Sequence, residues 1–501
     1  MNKQVKGLLA GCGVLAILGG GLAALKLTEK PAGESSEGEE QPHMILWELD
    51  SSDVISRVEV LSPDGQSYAA NRKIEKTVST DTENGDPVEE EEVNYYLDGL
   101  EDLPVEQASI RILATRSYAV DASSLVREQP SDSELKSFGL DKYTTVRFTA
   151  DNADDVEFYI GSRTAKGEYY LRRKGDGNVY SVSSSTVDPY LHDVNYYLSR
   201  KVTDDQDSED ETIVKSVRLE RKDLDYDIYL VYDEYYKEAE NSGMSALHVM
   251  EEPVHALLNV DRSASVTHGL FGLNSSDVVC PHPTAEQLAS YGFDDPFLKI
   301  TMETSDGKTT VFRLGNTYEK KLSDDDVQTY YYGYIDTVNC VYGFSPEDMT
   351  VDTVTAQEIA SKNVVDSYVW DLSSLVFAAG DLKLAFKGSG TDKENYKVTL
   401  NGVETDTERF RLLYSYLLKT AAEELVLEEI TPEGEPLVTV DLEQQDGKHG
   451  AKIAFYDAGS RKAYISVNDR VLYRCRLSYV TTLIENLKIY HQTDQEFTMT
   501  W

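Results

Sequence analysis

Two stretches of the chain repeat one another at an offset of 153 residues. Residues 118–141 (YAVDASSLVREQPSDSELKSFGLD) and 271–294 (FGLNSSDVVCPHPTAEQLASYGFD) align without a gap. Both stretches close on an aromatic residue, a glycine, an apolar residue and an aspartate, at 138–141 and 291–294. Self-similarity of this kind is typical of proteins that stack repeated structural units. The fold is therefore expected to contain the same unit more than once.

Downstream of each match, apolar and polar residues alternate with the period of a half-buried strand. Two alternating segments flank a turn at residues 151–155 in the first copy and at residues 305–307 in the second. The later segment of each pair closes on a glycine, Gly161 or Gly315. A tyrosine pair and a Val-Tyr pair follow in both copies and indicate two further strands. Each copy is predicted to contain an antiparallel β-meander.

A third, less regular copy closes the chain. Residues 437–480 alternate in the same way, and 459–461 (Gly-Ser-Arg) match 161–163. Residues 471–473 (Val-Leu-Tyr) correspond to the Val-Tyr pair at 179–180. This copy lacks the entry formed by an aromatic residue, a glycine, an apolar residue and an aspartate.

Alternating strands and a helix precede each meander. Residues 407–422 (TERFRLLYSYLLKTAA) give the clearest helix. One face of this helix carries Phe410, Leu413, Leu417 and Ala421. Thr405 and Glu408 have the spacing of a capping box, and Pro104 fits an N-terminal helix position in the first copy. Gly139 and Gly292 are predicted to end the short helix that precedes each meander.

The predicted fold class is α+β: an N-terminal transmembrane helix followed by tandem repeated units, each an antiparallel β-meander with a short helix. The predicted divisions are a cytoplasmic stub and transmembrane helix at 1–27, a disordered acidic stalk at 28–45, repeat unit one at 46–200, an acidic linker at 201–211, repeat unit two at 212–366 and a degenerate repeat unit three at 367–501.

The membrane anchor is predicted from residues 7–27, which are apolar apart from Lys26 and follow Lys3 and Lys6. As a helix, this segment spans about 30 Å, the thickness of one hydrocarbon core. The early lysines favour a cytoplasmic N-terminus, so a single-pass protein of the cell membrane with most of the chain extracytoplasmic is predicted. A cleaved signal peptide remains the alternative.

Charge and cysteine content exclude some classes of protein. The net charge of −41 disfavours binding to nucleic acid and to anionic lipid headgroups. Four scattered cysteines without a CxxC pair indicate neither a disulfide framework nor a zinc site. Whether Cys280 and Cys340 form a disulfide is left open by the sequence.

Motifs for catalysis are absent or incomplete. Residues 307–309 (Gly-Lys-Thr) resemble the end of a phosphate-binding loop, but the first glycine is missing and a hairpin turn is predicted. Residues 133–136 have SxxK spacing without the partner motifs, and 280–282 (Cys-Pro-His) are predicted to be a plain loop. The acidic runs at 204–211 and 324–326 lack the spacing of a calcium loop. No catalytic, cofactor-binding or metal-binding residue is predicted, and the chain is expected not to be an enzyme.

The repeat residues resemble the domain-of-unknown-function 4340 family. Residues 291–296 (Tyr-Gly-Phe-Asp-Asp-Pro) match the family's Tyr-Gly-Leu-x-x-Pro entry, and 138–143 match it without the proline. The resemblance covers roughly residues 45–365 and the degenerate end. It implies a membrane-anchored protein associated with ABC-type transport systems of the gliding-motility auxiliary kind, and it supplies no catalytic residues.

The expected function is therefore a non-catalytic, extracytoplasmic accessory or binding protein beside an ABC-type transporter, whose subunits would be its membrane partners. A cell-surface structural or adhesion scaffold without a transporter is the alternative.

Overall fold

The computed structural model describes residues 44–51, 53–80, 87–206, 212–235, 246–323, 326–419 and 422–501. The predicted membrane anchor and most of the predicted stalk lie outside these residues. Within the described ranges, no helix is both long and apolar enough to cross a membrane. Antiparallel strands dominate, with short helices between them, which confirms the predicted α+β meanders.

The first repeat contains thirteen labelled elements. They are β1 (Met44–Glu48), β2 (Ile55–Leu61), β3 (Ser67–Thr80), β4 (Pro87–Leu97), α1 (Gln107–Arg116), β5 (Ala119–Ala122), β6 (Ser124–Glu128), α2 (Asp132–Ser137), β7 (Thr144–Ala150), β8 (Val156–Arg163), β9 (Tyr169–Arg173), β10 (Asn178–Val182) and α3 (Ser184–Val187). Two 3₁₀ turns follow, at Asp188–Tyr190 and Val194–Tyr197.

The second and third repeats continue this series. The second has β11 (Val214–Arg221), β12 (Ile228–Tyr232), β13 (His248–Glu252), β14 (Ala256–Leu257), α4 (Val260–Thr267), β15 (Asp277–Pro281), α5 (Ala285–Ser290), β16 (Leu298–Thr304), β17 (Thr309–Ser323), β18 (Asp326–Ile335), β19 (Val338–Phe344) and α6 (Ala356–Ile359), with a 3₁₀ turn at Thr350–Asp352. The third has a 3₁₀ turn at Val369–Asp371, then β20 (Leu372–Ala379), β21 (Leu382–Ser389), β22 (Lys397–Leu400), β23 (Val403–Glu404), α7 (Thr407–Leu418), β24 (Glu424–Leu425), β25 (Val438–Gln444), β26 (Gly450–Asp457), β27 (Lys462–Val467), β28 (Arg470–Arg476) and α8 (Leu477–Lys488).

Strand order repeats from one copy to the next. The second repeat forms a nine-stranded sheet in the order β14-β13-β12-β11-β16-β17-β18-β19-β15. The third forms β23-β22-β21-β20-β25-β26-β27-β28-β24, which is the same order position by position. In the first repeat, the runs β4-β3-β2-β7 and β8-β9-β10-β6 each follow the corresponding part of this order. The β-rich repeats inferred from the sequence are thus confirmed.

Backbone contacts divide the chain into two compact units. The first contains residues 44–50, Tyr118–Tyr143 and Phe158–Val187, and the second contains Ser51–Ser117, Thr144–Glu157 and Asp188–Trp501. The second and third repeats, and residues 51–117, 144–157 and 188–200 of the first, therefore belong to the second unit. The unit boundaries predicted from the sequence stay a prediction.

The cores form because alternate residues of the central strands point to one buried face. In β16 the buried residues are Leu298, Ile300, Met302 and Thr304. The rings of Phe312 and Phe344 meet edge to face at 5.3 Å in the second repeat, and Phe386 packs on Phe410 and Tyr490 in the third. Complete burial of a side chain of this size stabilises the fold by roughly 2–3 kcal/mol.

The short helices begin at capping boxes. Ser131 and Glu134 cap α2 reciprocally, and Thr284 and Gln287 do the same for α5. The Ser-x-x-Lys spacing at 133–136 therefore falls within a capped helix. Connecting residues 426–437 of the third repeat contain no helix at this position.

Three local predictions were wrong. Helix α7 is capped by Asp406, whose carboxylate accepts hydrogen bonds from the Glu408 and Arg409 amides, and not by Thr405. Helix α1 begins at Gln107 behind a Glu106 cap, so Pro104 lies before the helix and not at its first position. Gly459 lies in the open turn between β26 and β27, whereas Gly161 lies inside β8, so these glycines are not equivalent.

Candidate functional site: cavities at the repeat joints

The first joint is formed where the end of the first repeat, residues 194–204, meets the second repeat. Lys201 and Asn274 form an antiparallel bridge, and the Val202 amide donates to the Leu273 carbonyl at 2.8 Å. The Asn195 side-chain amide donates to the carbonyl of Val279, in the edge strand β15, at 3.1 Å. Backbone and side chain together fix the two repeats in one register at this joint.

The second joint, where residues 356–366 at the end of the second repeat meet the third repeat, uses the same plan. Gln357 in α6 accepts a hydrogen bond from the amide of Leu425, in the edge strand β24, at 2.6 Å. The Gln357 carboxamide therefore links two consecutive repeats, as the Asn195 carboxamide does at the first joint. In both cases the last short helical segment of one repeat contacts an edge strand of the next sheet, β15 or β24.

The turn that follows the first strand of each meander also lies at these joints. The amide of Ser305 donates to the Ile213 carbonyl at 2.8 Å, and that of Gln445 donates to the Asp371 carbonyl at 2.7 Å. Each turn is thereby hydrogen-bonded to the residue that directly precedes the first strand of its sheet-forming repeat, β11 or β20. Its next residues then point toward the preceding repeat.

A cavity of 380 Å³ opens at the first joint. Its apolar wall includes Leu270, Phe271 and Met302, and its polar lining includes Lys201 and Lys308. The Lys201 ammonium lies 3.0 Å from Asp205 and 3.5 Å from Asp204. The volume falls in the range of small-molecule sites, at about 300–1,000 Å³.

A smaller cavity of 230 Å³ occupies the second joint. The Tyr235 ring stacks on His449 at 3.7 Å, and its hydroxyl donates to the Gln444 side-chain oxygen at 2.5 Å. Gln444 in turn donates to the Ser367 hydroxyl at 2.7 Å. This buried hydrogen-bond chain orders one wall, and burial raises the pKa of Tyr235 to about 12.

Charge in the second-joint cavity is mixed. Asp233, Asp366 and Lys448 all line it. Close by, burial acts to raise the pKa of Asp446, but hydrogen bonds from the His449 ring and from the His449 and Lys448 amides lower it to about 2. Asp446 is therefore ionised at neutral pH and holds the imidazole of His449 beside the cavity.

One tripeptide recurs at both cavities: Asp306-Gly307-Lys308 and Asp446-Gly447-Lys448. In each, the aspartate side chain accepts from the lysine amide, at 3.2 Å and 2.9 Å respectively. Both glycines have positive φ, +83° and +69°, as a tight hairpin turn requires. We call these two segments the D-G-K turns, and each places its lysine at a joint cavity.

The motifs weighed from the sequence fall elsewhere or have structural roles. Residues 307–309 form the predicted hairpin turn, since the Gly307 amide donates to the Thr304 carbonyl. His282 contacts Asp102 at 2.8 Å across the first joint. Cys280, Cys340 and Cys475 are free thiols, and no group of metal ligands occurs among the residues that the structure describes. The absence of catalytic residues stays a prediction.

Sequence reasoning missed the cavities because each is assembled from segments more than a hundred residues apart. The recurrence of D-G-K at equivalent turns was the available signal.

Comparison with known families gives one match. Residues 79–266 match the family model described as Domain of unknown function (DUF4340). The match begins within β3 and ends within α4, so it covers parts of two consecutive repeats, and it confirms the family resemblance of the repeat residues. No curated protein and no solved structure matches the chain.

Proposed function

We propose that this chain is a membrane-anchored, extracytoplasmic accessory or binding protein that works beside an ABC-type transporter without catalysing a reaction. The observation that carries the binding role is the repetition of a joint that encloses a cavity. Strand order recurs between the repeats, the capping box recurs in the first and second, and the lysine-bearing turn recurs in the second and third. These recurring features are not those of a nucleophile with its base. Such features suit a protein that positions a ligand or partner.

The anchor and the transporter have separate support. The anchor is supported by the apolar residues 7–27, and the transporter by the resemblance to a family associated with such systems. The acidic surface, at a net charge of −41, suits solubility in the extracytoplasmic space and disfavours contact with anionic lipid headgroups.

Co-purification tests the transporter partner. The full chain, tagged after Trp501, is cross-linked in native membranes, solubilised and captured. A control chain keeps residues 1–45 and carries an unrelated soluble domain, so it shares the anchor and lacks the repeats. We expect the permease and ATPase subunits of one transporter with the full chain and not with the control. Equal recovery of these subunits with both chains, or recovery with neither, would contradict a transporter role of the repeats.

A further inference from the structure

The D-G-K lysines form no close ion pair, although Lys308 also interacts electrostatically with Asp306 of its own turn. Within the residues that the structure describes, no carboxylate lies within 4 Å of the Lys308 or Lys448 ammonium. The corresponding turn of the first repeat, residues 151–155, reads Asp-Asn-Ala-Asp-Asp and has no lysine. Lysine therefore occurs in the two turns that line a joint cavity.

A second polar group in the first-joint cavity lacks a partner. Thr310, two residues beyond Lys308, is only 5% exposed and lines this cavity. Its hydroxyl makes no hydrogen bond to the described residues, and because it is not fully buried it is open to a ligand in the cavity. Because Thr310 pairs with Met302 across β16 and β17, its position is fixed by the sheet.

The remaining wall is apolar. Leu270 is 3% exposed and Met302 4% exposed, and both border the cavity beside Phe271. The Leu270 amide already donates to the Met302 sulfur at 3.3 Å, so this part of the wall offers no free donor. An ammonium and a hydroxyl thus lie on one side of the cavity and hydrocarbon on the other.

We propose that the first-joint cavity binds a small organic carboxylate with an apolar body. The carboxylate pairs with Lys308 and accepts a hydrogen bond from Thr310, and the body packs on Leu270, Phe271 and Met302. Lys201 adds a second positive charge that Asp204 and Asp205 largely neutralise. Charge-assisted pairing with Lys308 is the stronger polar interaction, since ionised hydrogen bonds are about twice as strong as neutral ones.

The second-joint cavity provides an internal comparison. It shares the turn lysine, Lys448, but two carboxylates, Asp233 and Asp366, line it. The first-joint cavity is lined by one carboxylate, Asp204, which is paired with Lys201. Two negative groups beside one ammonium disfavour an anionic ligand. The proposed carboxylate ligand is therefore expected to bind in the first-joint cavity rather than in the second-joint cavity.

The inference deepens the proposed binding role, and its test uses no membrane partner. The full chain in lipid nanodiscs is titrated with 4-phenylbutyrate, with uncharged 4-phenylbutanol and with cationic 4-phenylbutylamine, and binding is followed by calorimetry. We expect the carboxylate to bind at least about tenfold more tightly than the alcohol, and the amine to bind most weakly. Equal affinity for the carboxylate and the alcohol would overturn the proposal.

Matched variants then locate the site. Lys308→Gln should weaken carboxylate binding by about tenfold and leave alcohol binding unchanged, and Thr310→Val should weaken it by about threefold. Lys215→Gln removes an exposed lysine of β11 that does not line the cavity, and it should change nothing. Lys448→Gln should also leave binding intact. If Lys308→Gln matches Lys215→Gln, or if Lys448→Gln abolishes binding, the assignment to the first joint is wrong.

Unaltered far-ultraviolet circular dichroism checks that each variant is folded, and loss of carboxylate preference remains the deciding readout. Co-purification of the transporter, measured separately, is independent of either result.

Discussion

Gly161 and Gly315 occupy the same place in two repeats and are required there for space. A Cβ atom on Gly161 would fall well inside contact distance of the Phe138 carbonyl oxygen, and one on Gly315 would do the same to that of Tyr291. The reason is a shared hydrogen bond, because the amide of the following residue, Ser162 or Asn316, donates to that same carbonyl. Both glycines are apparent in the repeated sequence, and the structure supplies the close approach that explains them.

Substitution of Gly161 tests this requirement. Gly161→Ala should lower the free energy of unfolding of the first unit by about 2 kcal/mol, because the new methyl group meets a backbone oxygen that cannot move without breaking its hydrogen bond. Gly177→Ala in the same unit is the control, since its Cβ would lie 3.4 Å from the flexible Gln129 side chain. Hydrogen exchange of β8 and β9 amides measures the difference. Similar protection in both variants would contradict the close-packing account.

At the scale of elements, the sequence predicted what depends on local pattern and failed where distant segments decide. Alternation located the meander strands and the turns at 151–155 and 305–307, because a half-buried strand needs a period of two whatever its partner. Helix starts were less predictable, since several nearby side chains can act as caps. Asp406 displaced Thr405 because its carboxylate reaches two amides, while the Thr405 hydroxyl lies 3.4 Å from that of Tyr490.

This difference in capping gives a direct comparison. Asp406→Ala should destabilise α7 by about 1 kcal/mol through the loss of two hydrogen bonds to free helix amides. Thr405→Ala removes only the long contact to Tyr490 and should cost well under half as much. Amide exchange of residues 408–413 in the two variants is the measurement. A larger loss of protection for Thr405→Ala would restore the capping box predicted from the sequence.

At the scale of the whole molecule, the sequence predicted that repeats exist and could not predict how they join. The joints depend on Asn195 reaching Val279 and on Gln357 reaching Leu425, pairs separated by 84 and 68 residues. Single carboxamides of this kind carry no sequence pattern, so neither the joints nor the cavities beside them could be located in advance. Lys308 is evident in the sequence, but its position in a cavity lining depends on residues of the preceding repeat.

The predicted orientation of the chain in a membrane rests on residues 1–27 and can be tested directly. Lys3 and Lys6 precede the apolar run, and an early positive charge retains the N-terminus in the cytoplasm. All four native cysteines, Cys12, Cys280, Cys340 and Cys475, are first replaced by alanine. In this background we expect a cysteine introduced as Asn2→Cys to resist a membrane-impermeant maleimide on intact cells, and Glu34→Cys to react. Both should react after the membrane is permeabilised. The reverse labelling pattern would contradict the predicted topology.

The mass of the purified chain separates an anchor from a cleaved signal peptide, because cleavage would remove the apolar residues and release the acidic chain from the membrane. A full-length mass together with Glu34→Cys labelling would place the repeats, their joints and the proposed carboxylate site on the extracytoplasmic side, where a transporter's external face is accessible.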